Sequence, residues 1–257
     1  MTYQEMYALG ASFGDFGTFL YAWPWMGLGA AIVLLIIAFC TDTLRSDKAV
    51  ARWKDPAVLA WLCSIAYMLH NFEEYGCDLY GNPQGFAFCM SALMSTKGIA
   101  TGAFAEAVLL SCNIGLFWIF SPIASSMVTR GHRHMAAGMA FLEIVNGLGH
   151  VFLTRVGGCY SPGLVTSLII FLPLGIWTLY VCYWQDKQPK INMLWLFMAA
   201  VLYHAVMMLG EGSAMKFGIS GAWQGAIMMA DNVLIFILWW LVDRKTMCLL
   251  CKKNNRQ

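Results

Sequence analysis

Charge is what this sequence has least of. Asp, Glu, Lys and Arg make up 12% of its 257 residues, against 60% hydrophobic residues. A soluble globular domain carries about a quarter charged residues, so that class is excluded. Ser- or Pro-rich linkers, internal repeats and low-complexity tracts are also missing, and residues 1–257 read as a single transmembrane helical domain. The first apolar run has neither a basic leader nor an Ala-x-Ala-like cleavage site, and it reads as a retained span. A net charge of +2 gives no nucleic-acid signature, and no nucleic-acid partner is expected. The nine cysteines lie mostly within or at the ends of apolar runs, which excludes a secreted disulfide framework. Cys77 and Cys159 fall on the same side of the membrane in this reading and could pair. Cys248 and Cys251, beside Lys252 and Lys253, stand where palmitoylation occurs, although ordinary juxtamembrane cysteines fit that place as well.

What is present is a series of apolar runs of about 20 residues, the length that crosses a bilayer as a helix. They predict an all-α polytopic membrane helix bundle with seven transmembrane helices, near Gly17–Cys40, Pro56–Tyr75, Ile99–Phe120, Met135–Thr154, Pro162–Trp184, Ile191–Gly210 and Gly221–Leu241. Charge placement orients them. With the N-terminus out and the C-terminus in, the inner segments hold Arg45, Lys48, Arg52, Lys54, Arg130, Arg133, Lys187, Lys190, Arg244, Lys245, Lys252, Lys253 and Arg256. That is thirteen of the 16 basic residues, leaving Lys97, Arg155 and Lys216 outside. Trp53, Trp118, Trp184, Trp195, Trp239 and Trp240 gather at the inner ends as an aromatic belt would. The cell's inner or plasma membrane is the favoured location, and the lipid bilayer itself is the expected partner. The oligomeric state is left open.

Most connections are short, so successive helices should pack as neighbours. The segment from Gly76 to Gly98 is the exception. After a Gly81-Asn82-Pro83 turn it carries an apolar stretch, Phe86–Leu93, too short to span. It reads either as a re-entrant or interfacial helix over the outer mouth or as a plain connector. Pro173 should kink span five. Spans one and five hold no acidic, basic or histidine residue, so the other five should enclose the polar interior while these two face lipid. The run Ala136-Ala137-Gly138-Met139-Ala140 favours close helix contact.

Ionisable groups inside hydrocarbon are costly and by default functional. Span two carries His70-Asn71-Phe72-Glu73-Glu74, in which offsets of three and four put both glutamates on the histidine's face. Span four carries Glu143, Asn146 and His150 on one face, span six has His204 and Glu211, and span three has Glu106 and Asn113. Span seven adds Asp231 and Asn232, which could be a helix-packing pair. At 1.5 Å per residue, His70, His150 and His204 each lie roughly 20 Å from the inner boundary, and Glu106 arrives at a similar level from outside. Imidazole and carboxylate at one depth suit zinc, iron or manganese. Three histidines with an open position would hold zinc and activate water. Several glutamates with two or three histidines could instead hold two irons. Without metal, the carboxylates could act as acid or base. The structural alternative is that each group simply satisfies a neighbouring backbone or side chain. His132 and His134, in the Arg-Gly-His-Arg-His stretch, are expected to be solvated.

The motif His70-x-x-Glu73-Glu74, followed by Asn146-x-x-x-His150, resembles the HXXEE-domain family of integral membrane proteins over about residues 60 to 240. The resemblance implies a multi-span membrane protein suspected to be an enzyme, with no reaction established. CAAX-type membrane proteases are similar in pairing adjacent glutamates with later histidines, but they carry an arginine where this chain has Asp78. Seven-span ceramidase-like hydrolases use an H-x-x-x-H pair that this chain lacks.

The expected function is therefore a metal-dependent intramembrane enzyme, foremost a hydrolase of a lipid or lipid-linked substrate in the outer half of the bilayer. Its metal, zinc or iron, would be held by His70, His150 and His204, with Glu143 and Glu106 as supports or further ligands. Glu73 or Glu74 would be the general base. A di-iron oxidase or desaturase, a proton-coupled transporter and a structural membrane protein are the alternatives.

Overall fold

The computed structural model describes residues 15–95, 111–185, 189–217 and 221–254, which are helical with no strand among them. Helix α1 spans Asp15–Cys40. Helix α2 spans Pro56–Asn71 and continues as a π-helical turn, Phe72–Gly76. A short α3, Gly85–Ser95, is followed by α4, Ser111–Thr129, which is π-helical as far as Phe120. Then come α5, His134–Gly157, α6, Leu164–Gln185, α7, Ile191–Phe217, and α8, Gly221–Asn254.

Six stretches are long and apolar enough to cross a membrane: Tyr21–Cys40, Ser111–Thr129, His134–Gly157, Leu164–Gln185, Asn192–Leu209 and Trp223–Lys245. The remaining expected span, residues 56–75, is helical throughout but is not one of them. Its last turn carries His70, Asn71, Glu73 and Glu74. It is an interior helix, buried along almost all of Pro56–Asn71 and packed by α1, α4, α5 and α6. A helix wrapped by protein can carry polar groups that lipid would not tolerate. Its start is fixed by the buried Asp55. The Asp55 carboxylate accepts from the backbone N–H of Ala57 at 2.9 Å and of Ser46 at 2.8 Å, with Pro56 at the first helical position.

Span one is as open as a lipid-facing helix should be, but spans six and seven do not face inward more than it does, and span five is not set apart from them. Within the membrane-length windows α1, α7 and α8 are each 28% buried, and α6 is 33% buried. Helix α6 packs on both α2 and α5, supplying Phe171 and Thr178 to the core, so a lack of ionisable groups does not mark a lipid-facing helix. Its backbone widens into a π-helical stretch, Ser167–Phe171, directly before Pro173, where the regular hydrogen-bond ladder loses a donor.

The small residues at the start of α5 pack as expected, and Ala136, Ala137, Gly138, Met139 and Ala140 are all buried. A Cβ on Gly138 would meet Cδ1 of Trp239 at 2.6 Å. Gly138→Ala should therefore cost about 1–3 kcal/mol through overpacking, read as an earlier thermal unfolding in detergent. The same contact takes Trp239 out of the aromatic belt, since it is buried while Trp53, Trp184 and Trp195 are exposed. His134 is not solvated either. Asp243 of α8 accepts from the His134 backbone N–H at 3.2 Å and lies 2.7 Å from His132 Nδ1. A carboxylate more than a hundred residues away organises a loop that looked polar and open in the sequence. The Cys159 thiol faces Cys89 of α3, whereas Cys77 turns its thiol to the Asp78 carbonyl, 3.8 Å away.

Candidate metal centre

At the end of α2 the helix loosens from α to π geometry, a change that often accompanies functional sites. His70 and Glu74 still share a face, and His150 of α5 meets them there. Glu74 Oε1 lies 3.5 Å from His70 Nε2 and 3.3 Å from His150 Nε2. The two imidazoles are 4.7 Å apart between centroids and cross at 78°. One ligating atom from each of the three residues lies within 4.8 Å of the others, and all three residues are buried. Bonds of about 2.1 Å to a tetrahedral zinc place ligand atoms about 3.4 Å apart, which both contacts to Glu74 match.

The surrounding hydrogen bonds set the imidazoles for that task. Thr166 donates its hydroxyl proton to Glu73 Oε2 at 2.5 Å, so its oxygen accepts from His70 Nδ1 at 2.8 Å. That leaves the Nε2 lone pair of His70 turned toward Glu74, buried and without a hydrogen-bond partner among the described residues. His150 Nδ1 similarly faces Ser161 Oγ at 3.4 Å, leaving Nε2 toward the carboxylate. Two nitrogen lone pairs converging on a carboxylate oxygen repel one another unless a proton or a cation sits between them. This group could hold a metal ion.

Glu73 is engaged elsewhere. Its oxygens also accept from the Tyr160 hydroxyl at 2.6 Å and from the backbone N–H groups of Val165 at 3.0 Å and Thr166 at 2.7 Å. It thus caps the start of α6 from another helix, and its lone pairs are occupied. Burial, and then the Glu73 carboxylate it serves, push the Tyr160 hydroxyl well above the usual phenol range, so it remains a donor.

Gly163 closes the back of the pair at φ +93°, and a Cβ there would lie 2.7 Å from Cε1 of both His70 and His150. Gly163→Ala is expected to weaken metal binding by about 10–100-fold, the usual penalty for disturbing the supports of ligands. Competitive titration with a chromophoric chelator would measure it.

The cluster opens onto a cavity of about 310 Å³ whose walls include Phe86, Phe117, Phe152, Leu153 and Met207. His204 lines this cavity but is not a member of the cluster, and its Nδ1 faces the Ala200 carbonyl at 2.8 Å. Asn113 and Asn146 also line it. Phe86 of α3 stands 5.3 Å from the His150 ring, so the short apolar helix covers the site as the interfacial reading of Phe86–Leu93 expected. Glu143 lies deeper in α5, fully buried beside Cys63 and outside the cluster. Asn232 joins helices, receiving the Tyr203 hydroxyl at 2.8 Å and donating to the Ser111 carbonyl at 2.6 Å. Glu106 and the side chain of Glu211 lie outside the described residues. Sequence reasoning missed Thr166, Tyr160, Ser161 and Gly163.

Six membrane-length helices and a buried His–Glu–His group define the class: an integral membrane protein with a candidate metal centre. Residues 61–178 match the family described as "Protein of unknown function with HXXEE motif", and this segment is an HXXEE domain, as the resemblance implied. The match contains the cluster and its supports from Tyr160 to Thr166, while His204 falls beyond it. Comparison with curated proteins and with solved structures gave no match.

Proposed function

We propose that this chain is a seven-span membrane hydrolase, N-terminus out and C-terminus in, that acts on a lipid or lipid-linked ester or amide with one divalent metal ion, zinc before iron. The observation that carries this reading is the spacing of His70, His150 and Glu74 about one point, beside an apolar cavity. Bound there, the ion would polarise a carbonyl and favour ionisation of water. The two imidazoles would hold it, and Glu74 would complete the group and take the proton that the attacking water loses. Glu73 acts at one remove, through Thr166, to keep His70 in place. The cavity takes the apolar part of the substrate, and α3 shields the reacting bond from bulk water. A pair of irons is less favoured, because the cluster brings one carboxylate to the two histidines among the described residues.

The test is turnover of a panel of acyl esters and N-acyl amides in mixed micelles by zinc-loaded protein. Hydrolysis that is lost in Glu74→Gln and on chelation supports the proposal. Zinc retention with no turnover of any ester or amide would overturn it.

A further inference from the structure

A second buried feature lies beneath the cluster. Glu143 precedes His150 by seven residues on the same face of α5, roughly 10 Å deeper along the helix. It is 0% exposed, and the weakly donating Cys63 thiol lies beside it. That thiol is also 3.9 Å from Thr178 Oγ1. Two buried polar atoms without a hydrogen-bond partner among the described residues, the Tyr67 hydroxyl and Asn146 Oδ1, belong to residues that line the cavity beside the cluster. The Tyr67 hydroxyl lies within electrostatic reach of both Glu143 and Glu74. Helix periodicity puts Cys63, Tyr67 and His70 on one side of α2, and Glu143, Asn146 and His150 on one side of α5. The two helices pack together, so these groups form one seam.

Native proteins leave few buried polar atoms unpaired, because each such atom costs about 1–3 kcal/mol. A run of them at successive helical turns calls for ordered water, which typically makes about three hydrogen bonds where it is buried. A fully buried carboxyl group with only a weak thiol donor beside it among the described residues is far too costly to keep as a bare charge. A metal does not meet the need as well, since Glu143 joins no group of three clustered His, Cys, Asp or Glu side chains among the described residues.

We propose that Glu143 carries a proton and ends a hydrated seam between α2 and α5 that exchanges protons with the His70–Glu74–His150 cluster. The last step rests on the hydrolase reading. There, the departing oxygen or nitrogen of the substrate takes a proton relayed from Glu143, and the proton lost by the attacking water replaces it, so the sum is hydrolysis alone.

Infrared spectroscopy of detergent-purified protein tests this without any substrate. The expected result is a carboxylic C=O stretch in the wild type that shifts in D2O and disappears in Glu143→Gln, with bound metal unchanged. In the hydrolase assay the same variant should lose about a hundredfold in turnover, the scale of an acid–base contribution. Loss of an ionised carboxylate band in the variant would overturn the proposal, as would a C=O stretch that does not respond to D2O. Should Glu143→Gln fail to fold, the volume-matched Glu143→Met gives the same difference spectrum. An exchanging C=O band in a protein that hydrolyses nothing would uphold the proton site and reject the hydrolase.

Discussion

Alanine at His70, or at His150, is expected to take bound metal from about one ion per chain to background, while His132→Ala keeps the wild-type content. Loss of an outer support alone weakens metal sites by about 10–100-fold, and loss of a ligand should exceed that. The reason is geometric. His70 Nε2 and His150 Nε2 approach one carboxylate oxygen at 3.5 and 3.3 Å, so removing either leaves a two-point site. His132 is bound to Asp243 at the other end of α5 and can report only on general damage. Plasma mass spectrometry on protein purified without chelator provides the measurement. Equal occupancy in all three variants would reject a shared site.

The second large effect is expected at Glu73, for a different reason. Glu73→Ala strips the acceptor from the Tyr160 and Thr166 hydroxyls and from the backbone N–H groups of Val165 and Thr166. Hydrogen bonds to charged groups are worth about 1.5–3 kcal/mol each, and these are not additive, so a loss of about 3–5 kcal/mol follows. Melting should fall by roughly 10 °C. Metal affinity should drop as well, by about 10–100-fold, because Thr166 no longer fixes His70 Nδ1. Glu73→Gln should restore most of the melting temperature, since the amide oxygen still caps α6. If Glu73→Ala left melting unchanged while abolishing turnover, Glu73 would be a group that acts on substrate.

Much of this was legible in the sequence. Apolar runs located most of the helices because hydrocarbon length is a strict physical limit, but span three, expected to end at Phe120, continues to Thr129. His70 and His150 were joined by an argument from depth, and helical phase brought Glu74 to the same face. The division of labour between Glu73 and Glu74 was not legible. Both share a face with His70, and what separates them is the start of α6, which sits about ninety residues later in the chain. His204 satisfied the same depth argument as His70 and His150. Depth says nothing about azimuth, and on α7 the ring lines the cavity with its Nδ1 at the Ala200 carbonyl and takes no part in the cluster. The burial of residues 56–71 agrees with span two enclosing the polar interior, whereas the openness of spans six and seven was hidden until their neighbours were known.

The capping of α6 by Glu73 also bears on how the protein is made. His70 and Glu74 come from α2 and His150 from α5, but the groups that orient the histidines, Ser161 and Thr166, follow α5. A chain emerging from the ribosome therefore holds a complete cradle only once the start of α6 has been synthesised and docked. From that moment an ion can clasp α2 to α5 before α7 and α8 exist. On the proposed metal reading, ion supply would then be an input to membrane assembly.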